Sequence, residues 1–367
     1  MMLRMRDIVL SEQPDAFLIC GDVFHTSTPG IAIQRLFVDA VLSLHNAKPD
    51  MAIVITSGNH DSGARLETFR QLWDVVGVTV VGHLDADHPE NHIVEVAGKG
   101  YVIAVPYSYE RLLSSRFFTT LQRLVAERNT DGLPVVMTAH TTVAGCDYKG
   151  HDNSSELSVG GIDSLGVDFF GDGYDYLALG HIHRPQNVPV GGSAAESGRR
   201  EAVVRYSGSP LAVSFDETYG HSVSLVEIGS RGAKPLVREL PVENPRPLVT
   251  LPARDAASLD DALSLLRGFD ADSEAYIRLN VAVDGLLPPT ANADAIAATE
   301  GKQCRFCLIN ALRIAKDGES SEPSGMTVSE LQRIEPCDLA RGYAESKGLT
   351  FDADLFAEVV RSLRNDA

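Results

Sequence analysis

Basic residues are scarce in this sequence: 32 Lys and Arg stand against 50 Asp and Glu, for a net charge of −18 over 367 residues. That deficit excludes a protein that holds nucleic acid by bulk electrostatics, because duplex affinity rests on Lys and Arg neutralising phosphates. It leaves room for a nucleic-acid enzyme in which bound cations or a basic partner supply the positive charge. Cysteine is also sparse, with five residues scattered at Cys20, Cys146, Cys304, Cys307 and Cys337. Such spacing excludes a disulfide framework and fits a reducing, cytoplasmic compartment. No apolar run reaches the length of a membrane span, and no membrane association is expected. The start, MMLRMRD, lacks the apolar core and small-residue cleavage site of a signal peptide. No G-x-x-x-x-G-K-[ST] loop occurs, which excludes ATP hydrolysis by this chain, and no G-x-S-x-G elbow occurs. There is no internal repeat.

What is present is an alternation of short apolar runs with helical stretches, which predicts a layered α/β fold. Residues 1–15 read as the end of a helix stopped by Pro14. Ile31 to Leu44 reads as a helix with Leu36, Ala40, Val41 and Leu44 on its apolar face. Leu66 to Val76 reads as another, with Phe69 and Trp73 in the core. Residues 78–81, 93–96 and 101–105 are β-rich, and Glu110 to Glu127 is helical. Residues 188–200 form a loop by composition, and 202–206 and 222–228 read as antiparallel strands. Asn244-Pro-Arg-Pro247 marks a boundary. The expected domains are therefore a main domain at 1–243, a smaller α/β unit at 244–315, a polar linker at 316–326 and a helical tail at 327–367. In the smaller unit a strand at 248–251, a helix at 258–267 and a strand at 275–282 are expected. Cys304-Arg-Phe-Cys307 has metal-ligand spacing but no second pair, and its alternation reads as a strand.

Four apolar runs end in metal-binding side chains. AFLIC (16–20) runs into Gly21-Asp22, and MAIVIT (51–56) into Ser57-Gly58-Asn59-His60-Asp61. VVMTA (135–139) runs into His140, and YLAL (176–179) into Gly180-His181-Ile182-His183. Open α/β sheets place ligands at the carboxyl ends of their strands, so these side chains are expected to converge. Asp22, a carboxylate on a tight turn, suits a ligand bridging two cations. Asn59, His140, His181 and His183 supply amide oxygen and imidazole, a set suited to manganese, iron or zinc. In an extended segment His181 and His183 would point to one side, one toward each metal. His60 would face substrate as the general acid for the leaving oxygen, and His25 on the same rim could orient substrate or His60. His45, His83, His88, His92, His151 and His221 carry no motif and read as surface or loop residues.

At these residues the chain resembles the calcineurin-like metallophosphoesterases, a β-sandwich flanked by helices. Longer strings narrow the resemblance to the nuclease subunits of the bacterial SbcCD type. These are GDVFHTSTP (21–29), GNHDSGARL (58–66), AHTTVAG (139–145), ELSVGGID (156–163), YLALGHIHRPQ (176–186) and YSGSPLAVSFDE (206–217). The resemblance implies two divalent metals, most often Mn²⁺, with Asp22 bridging. Asn59, His140 and His181 would complete one site, and His183 would serve the other. It implies His60 as the catalytic histidine and His25 as a second histidine needed for exonucleolytic action. It implies a 3′-to-5′ DNA exonuclease that also opens hairpins and single strands, in DNA repair, recombination and replication. The implied partner is an SMC-type ATPase of the SbcC kind, in a heterotetramer built on a nuclease homodimer. Residues 245–315 would be the capping domain over the DNA path, and the tail from 327 would dock on the ATPase.

The sequence departs from that pattern at one point. The family begins with a strand followed by Asp-x-His, and no Asp-x-His precedes Asp22 here. A parallel crossover needs a dozen or more residues, and residues 1–15 supply only its helix. The expectation is a start upstream of Met1 or a truncated form, with a neighbouring strand left unpaired. The alternatives to a nuclease are another phosphoesterase acting on nucleotides or phosphoproteins, and a degenerate subunit that scaffolds the ATPase.

Overall fold

The computed structural model describes residues 1–108, 113–147, 164–190, 202–313, 351 and 356. The expected linker at 316–326 lies outside the described residues. So do the tail, apart from Phe351 and Phe356, and most of the expected loop at 188–200. The chain divides into two compact units, Met1–Ala282 with Leu287–Leu312, and Val283–Leu286 with Arg313–Ala367. The first carries the architecture described below.

Its main body is two β-sheets packed face to face, with helices on both outer faces. The smaller sheet contains β1 (Ala16–Cys20), β2 (Ala52–Thr56) and β3 (Val78–Val81), in that order and parallel throughout. The larger contains β4 (Ile93–Val96), β5 (Gly100–Ala104), β6 (Val135–His140), β7 (Tyr176–Gly180), β8 (Gln186–Asn187) and β9 (Val203–Tyr206). Its order is β4-β5-β6-β7-β9-β8, with β5, β6, β7 and β9 parallel.

The runs of β2, β5, β6 and β7 are apolar because both faces of these strands are buried, and successive side chains alternate between the two. In β2, Val54 faces the other sheet, where it meets Val102 and Ala104, with Val81 of β3 beside it. Ile53 and Ile55 face outward onto α1 (Met2–Glu12) and α2 (Ile31–Ala47), through Met5, Val9, Val41 and Leu44. In β6, Met137 and Ala139 pack beneath α5 (Ser115–Arg128) with Phe118, Leu121 and Val125, while Val136 faces the sandwich interior. Helix α5 begins at Ser115, where the Ser114 hydroxyl caps it by accepting the Phe117 N–H at 3.2 Å, and residues 109–112 of the expected helix region lie outside the described residues.

Several expectations are corrected. The stretch 66–76 is two short helices, α3 (Gly63–Glu67) and α4 (Arg70–Val75). Phe69 leaves helical geometry between them, at φ −115° and ψ 25°. The Glu67 carboxylate ties α3 to the end of β3 by accepting the Gly82 and His83 N–H groups. Phe69 is 58% exposed rather than core, and Leu36 on α2 is 64% exposed. The strand at 203–206 does not pair with the one at 222–227. Its edges are already taken by β7 and β8, so β10 (Ser222–Glu227) pairs antiparallel with β11 (Leu236–Pro241). His92 is fully buried, accepting the Asp85 N–H on Nε2 and donating from Nδ1 to the Ala104 carbonyl.

The small sheet β12 (Leu248–Leu251), β13 (Tyr276–Val283) and β14 (Arg305–Arg313) carries α6 (Leu259–Arg267) and α7 (Ala291–Ala297). Cys304 is buried beside β14 and Cys307 on β14 is exposed, and the segment is a strand as its alternation predicts. Among the described residues β1 pairs only with β2, so it is an edge of its sheet. All five of its residues are only partly buried. No helix among the described residues is long and apolar enough to cross a membrane.

Candidate metal centre

The carboxyl ends of β1, β2, β6 and β7 meet at one rim of the sandwich. His140 stands beside Gly180 in the β6–β7 register, and Cys20 beside Thr56 in the β1–β2 register. Two glycines permit the approach. A Cβ on Gly180 would stand 1.7 Å from the Cys20 carbonyl oxygen, and one on Gly58 would stand 2.0 Å from Asp22 Oδ1. Gly180 thus admits the close approach of the two sheets, and Gly58 the approach of the turn after β1 to the turn after β2.

Asp22, His140 and His181 each offer a ligand atom within 4.8 Å of the others. Asp22 Oδ2 lies 3.2 Å from His140 Nε2. Asn59 Oδ1 lies 3.0 Å from His140 Nε2 and 3.1 Å from His181 Nδ1. His140 donates from Nδ1 to the Cys20 carbonyl at 2.8 Å, which leaves Nε2 to face the cluster. Asp22 and His181 both hold positive φ, 50° and 94°, an uncommon backbone state for residues with a Cβ and one that clusters at functional sites.

The electrostatics point the same way. Burial alone would raise the Asp22 carboxyl, but the neighbouring His140 and His60 hold it well below the usual carboxylate range. Burial alone would lower His140, but the Asp22 carboxylate raises it above the ordinary imidazole value. The low carboxyl and the high imidazole are the two halves of one Asp22–His140 pairing, which keeps the carboxylate ionised. A carboxylate oxygen, an amide oxygen and two imidazole nitrogens gathered at one point fit a divalent cation, and its chemistry is the borderline kind of manganese, iron or zinc.

His60 and His25 lie beside this cluster. The His60 N–H donates to Asp22 Oδ1 at 3.1 Å, and its ring Nδ1 donates to the His25 carbonyl at 3.0 Å. The two rings stack, with centroids 5.7 Å apart and an interplanar angle of 22°. His183 goes elsewhere. Strand β7 ends at Gly180, and His181 leaves extended geometry at φ 94°. His183 Nδ1 meets Glu217 Oε1 at 2.7 Å, outside the Asp22–His140–His181 group.

Two residues had no role in the sequence reading. Asp61 accepts the N–H groups of Val23 (3.0 Å), Phe24 (2.9 Å) and Gly58 (2.8 Å), binding the turns after β1 and β2 to each other. Its signal was its place three residues after Gly58, where a short carboxylate closes a turn on its own backbone. Glu217 is wholly buried and lies between His183 and His221, whose Nε2 is 3.5 Å away. His221 is thus a packed residue rather than a surface one, and nothing in local periodicity signalled either.

A family model, calcineurin-like phosphoesterase, matches residues 2–185. The SbcD subunit of the SbcCD nuclease of Rhodobacter capsulatus is 32% identical over 293 residues, covering 71% of this chain and 67% of that protein. Its counterpart in Bacillus subtilis is 30% identical over 300 residues, covering 76% and 72%. That of Escherichia coli K12 is 26% identical over 347 residues, covering 88% and 81%. With the sandwich and the strand-end cluster in place, these matches show that the chain belongs to the calcineurin-like phosphoesterases, among the SbcD-type nuclease subunits.

Proposed function

We propose that this chain cleaves DNA phosphodiesters as a 3′-to-5′ exonuclease and as an endonuclease on hairpins and single strands, together with an SMC-type ATPase of the SbcC kind. The observation that carries the reading is the convergence of Asp22, Asn59, His140 and His181 beside the stacked His60–His25 pair. Asp22 would bridge two divalent cations, most often Mn²⁺. Asn59, His140 and His181 would complete one site, and His183 would serve the other. When bound, the cations supply Lewis-acid charge at phosphorus and lower the pKa of a coordinated water.

The chain's own residues supply the rest. As the water oxygen bonds to phosphorus and the P–O bond breaks, His60 delivers a proton to the leaving oxygen. His25 holds His60 through its carbonyl and its stacked ring, and it faces the solvent side from which a strand end would enter. The sheet of residues 244–315 would cap the DNA path, and the segment 327–367 would dock on the ATPase.

The net charge of −18 supports dependence on cations and on a partner for DNA affinity. Exposed apolar side chains on α2 (Ile31, Ile33, Leu36) and around α4 (Phe69, Leu72, Val75) support a homodimer, since apolar surface of this kind marks contact sites. The scarcity of cysteine supports a cytoplasmic setting in which repair and recombination substrates are met.

The test is purified protein with Mn²⁺ on hairpin DNA and on a small phosphomonoester, with and without an SMC-type partner. Hairpin cleavage is expected, and preference for the monoester defeats the proposal. A second reading, a subunit that supports the ATPase without cutting, is favoured by one observation: His183 sits apart from the single tight cluster found among the described residues. Metal titration separates the two, since one site with no cleavage indicates the scaffold.

A further inference from the structure

Glu217 has no place in the chemistry described so far, yet it is the most deeply buried carboxylate near it. Its side chain is fully shielded from solvent. Oε1 accepts from His183 Nδ1 at 2.7 Å, and Oε2 accepts the Val213 N–H at 3.0 Å and lies 3.5 Å from His221 Nε2. A carboxylate in such a place must be held by donors, and these donors are specific.

We propose that Glu217 is the positioning residue for His183, fixing its tautomer and ring orientation so that Nε2 is presented as a metal ligand. This rests on the reading of His183 as a ligand given above. The chemistry is direct. A carboxylate only accepts, so Nδ1 carries the proton and the neutral ring keeps its lone pair on Nε2. Carboxylates that orient metal-bound histidines this way also raise their basicity, and losing one costs about 10–100-fold in metal affinity. His140 is fixed by the same device in uncharged form, with the Cys20 carbonyl on its Nδ1.

The turn that carries Glu217 is itself anchored. Next to it, Asp216 receives Arg278 Nη1 at 2.6 Å, and Arg278 Nη2 reaches the Phe215 carbonyl at 3.3 Å. The guanidinium carbon lies 5.3 Å from the Phe215 ring centroid, and Nε donates to Thr250 Oγ1 at 3.1 Å. Arg278 belongs to β13 and Thr250 to β12. The small sheet therefore grips one side of the turn, while Glu217 grips His183 on the other.

The decisive variant is Glu217→Gln. It keeps the volume but has one acceptor oxygen, which can serve His183 Nδ1 or Val213 N–H and not both. Titration of the full chain with MnCl₂ by calorimetry is expected to show one binding step weakened about 10–100-fold. The other step should stay within about twofold, and the melting temperature should fall by only the few degrees that one unmatched buried donor implies. His183→Ala should delete the same step, and Glu217→Gln added to His183→Ala should change nothing further. In metal-free protein, the His183 Nδ1 proton seen by ¹H–¹⁵N NMR should be protected from exchange, and Glu217→Gln should abolish that protection. Arg278→Met should weaken the same step to a smaller degree.

If His183→Ala removes a step and Glu217→Gln leaves both intact, the positioning role is overturned while the metal reading stands. If His183→Ala leaves metal binding untouched, the ligand reading fails and this inference with it. If Glu217→Gln weakens both steps alike and lowers the melting temperature, the role is structural and the proposal is overturned.

Discussion

Replacing Gly180 with alanine should damage fold and metal centre together. A Cβ there stands 1.7 Å from the Cys20 carbonyl oxygen, 2.8 Å from His140 Nδ1 and 2.9 Å from the Cys20 carbonyl carbon. Carbon and oxygen tolerate no approach closer than about 3.3 Å, so β1 and β7 must separate by roughly 1.5 Å. The obstacle is backbone, which no rotamer change relieves. Overpacking of this kind costs about 1–3 kcal/mol. The separation also removes the Cys20 acceptor from His140 Nδ1, at 2.8 Å in the native protein, and leaves a buried donor unmatched. That adds about 1–3 kcal/mol. The sum, about 2–6 kcal/mol, lowers the melting temperature by about 4–24 °C for a domain of this size. Thermal unfolding followed by circular dichroism reads the stability, and calorimetric titration with Mn²⁺ reads the site. Metal affinity should drop at least about tenfold, because the ring of His140 loses the bond that aims it. Gly220→Ala is the control, since a Cβ there meets nothing within 4 Å. A Gly180→Ala protein that melts within about 1 °C of the parent and binds Mn²⁺ as tightly would refute the close approach of the two sheets.

Three further outcomes follow from the same geometry. His60→Ala should reduce hairpin cleavage by about 10²–10⁴-fold while Mn²⁺ binding persists, and surviving cleavage would remove the general-acid role. Asp175 is buried, accepts the N–H groups of Val135 (2.8 Å) and Gly232 (2.7 Å) and pairs with Arg231. Asp175→Ala should therefore cost about 3–5 kcal/mol in urea unfolding, and a loss below about 1 kcal/mol would contradict a buried paired charge. His92 is held below its ordinary value of 6.5, by burial first. The unfolded chain then takes up a proton before the folded one, so this stabilisation is complete above pH 6.5 and is lost as the pH falls toward the depressed folded value. Melting temperatures of the parent should fall more steeply below pH 6.5 than those of His92→Asn, and parallel profiles would refute the shift.

Most of the metal centre was legible in the sequence because its framework is local. Each apolar run is a strand, buried on both faces except at the edge strand β1, and each is followed by a glycine or a ligand where the strand meets the rim. Asp22, Asn59, His140 and His181 follow from that pattern alone. Helix boundaries were legible where a cap or a proline set them, as at Pro14 and Ser258. The misreadings share a different cause. Phe69 has helical spacing with Trp73, but Glu67 draws α3 onto β3 and the helix breaks before Phe69 can turn inward. Residues 202–206 and 222–228 read as antiparallel strands, but both edges of the strand at 203–206 are occupied by β7 and β8.

The sequence by itself determined which residue types gather and at which end of the strands, because two-residue alternation and strand-end ligands are properties of neighbouring residues. Tertiary structure alone decided how those residues are aimed. The positive φ values of Asp22 and His181 set the backbone from which both side chains reach the cluster. Asp61 reaches Val23 and Phe24, 38 and 37 residues away along the chain, and Glu217 reaches His183 across 34. Such bonds depend on where distant segments pack, and no local pattern encodes that distance.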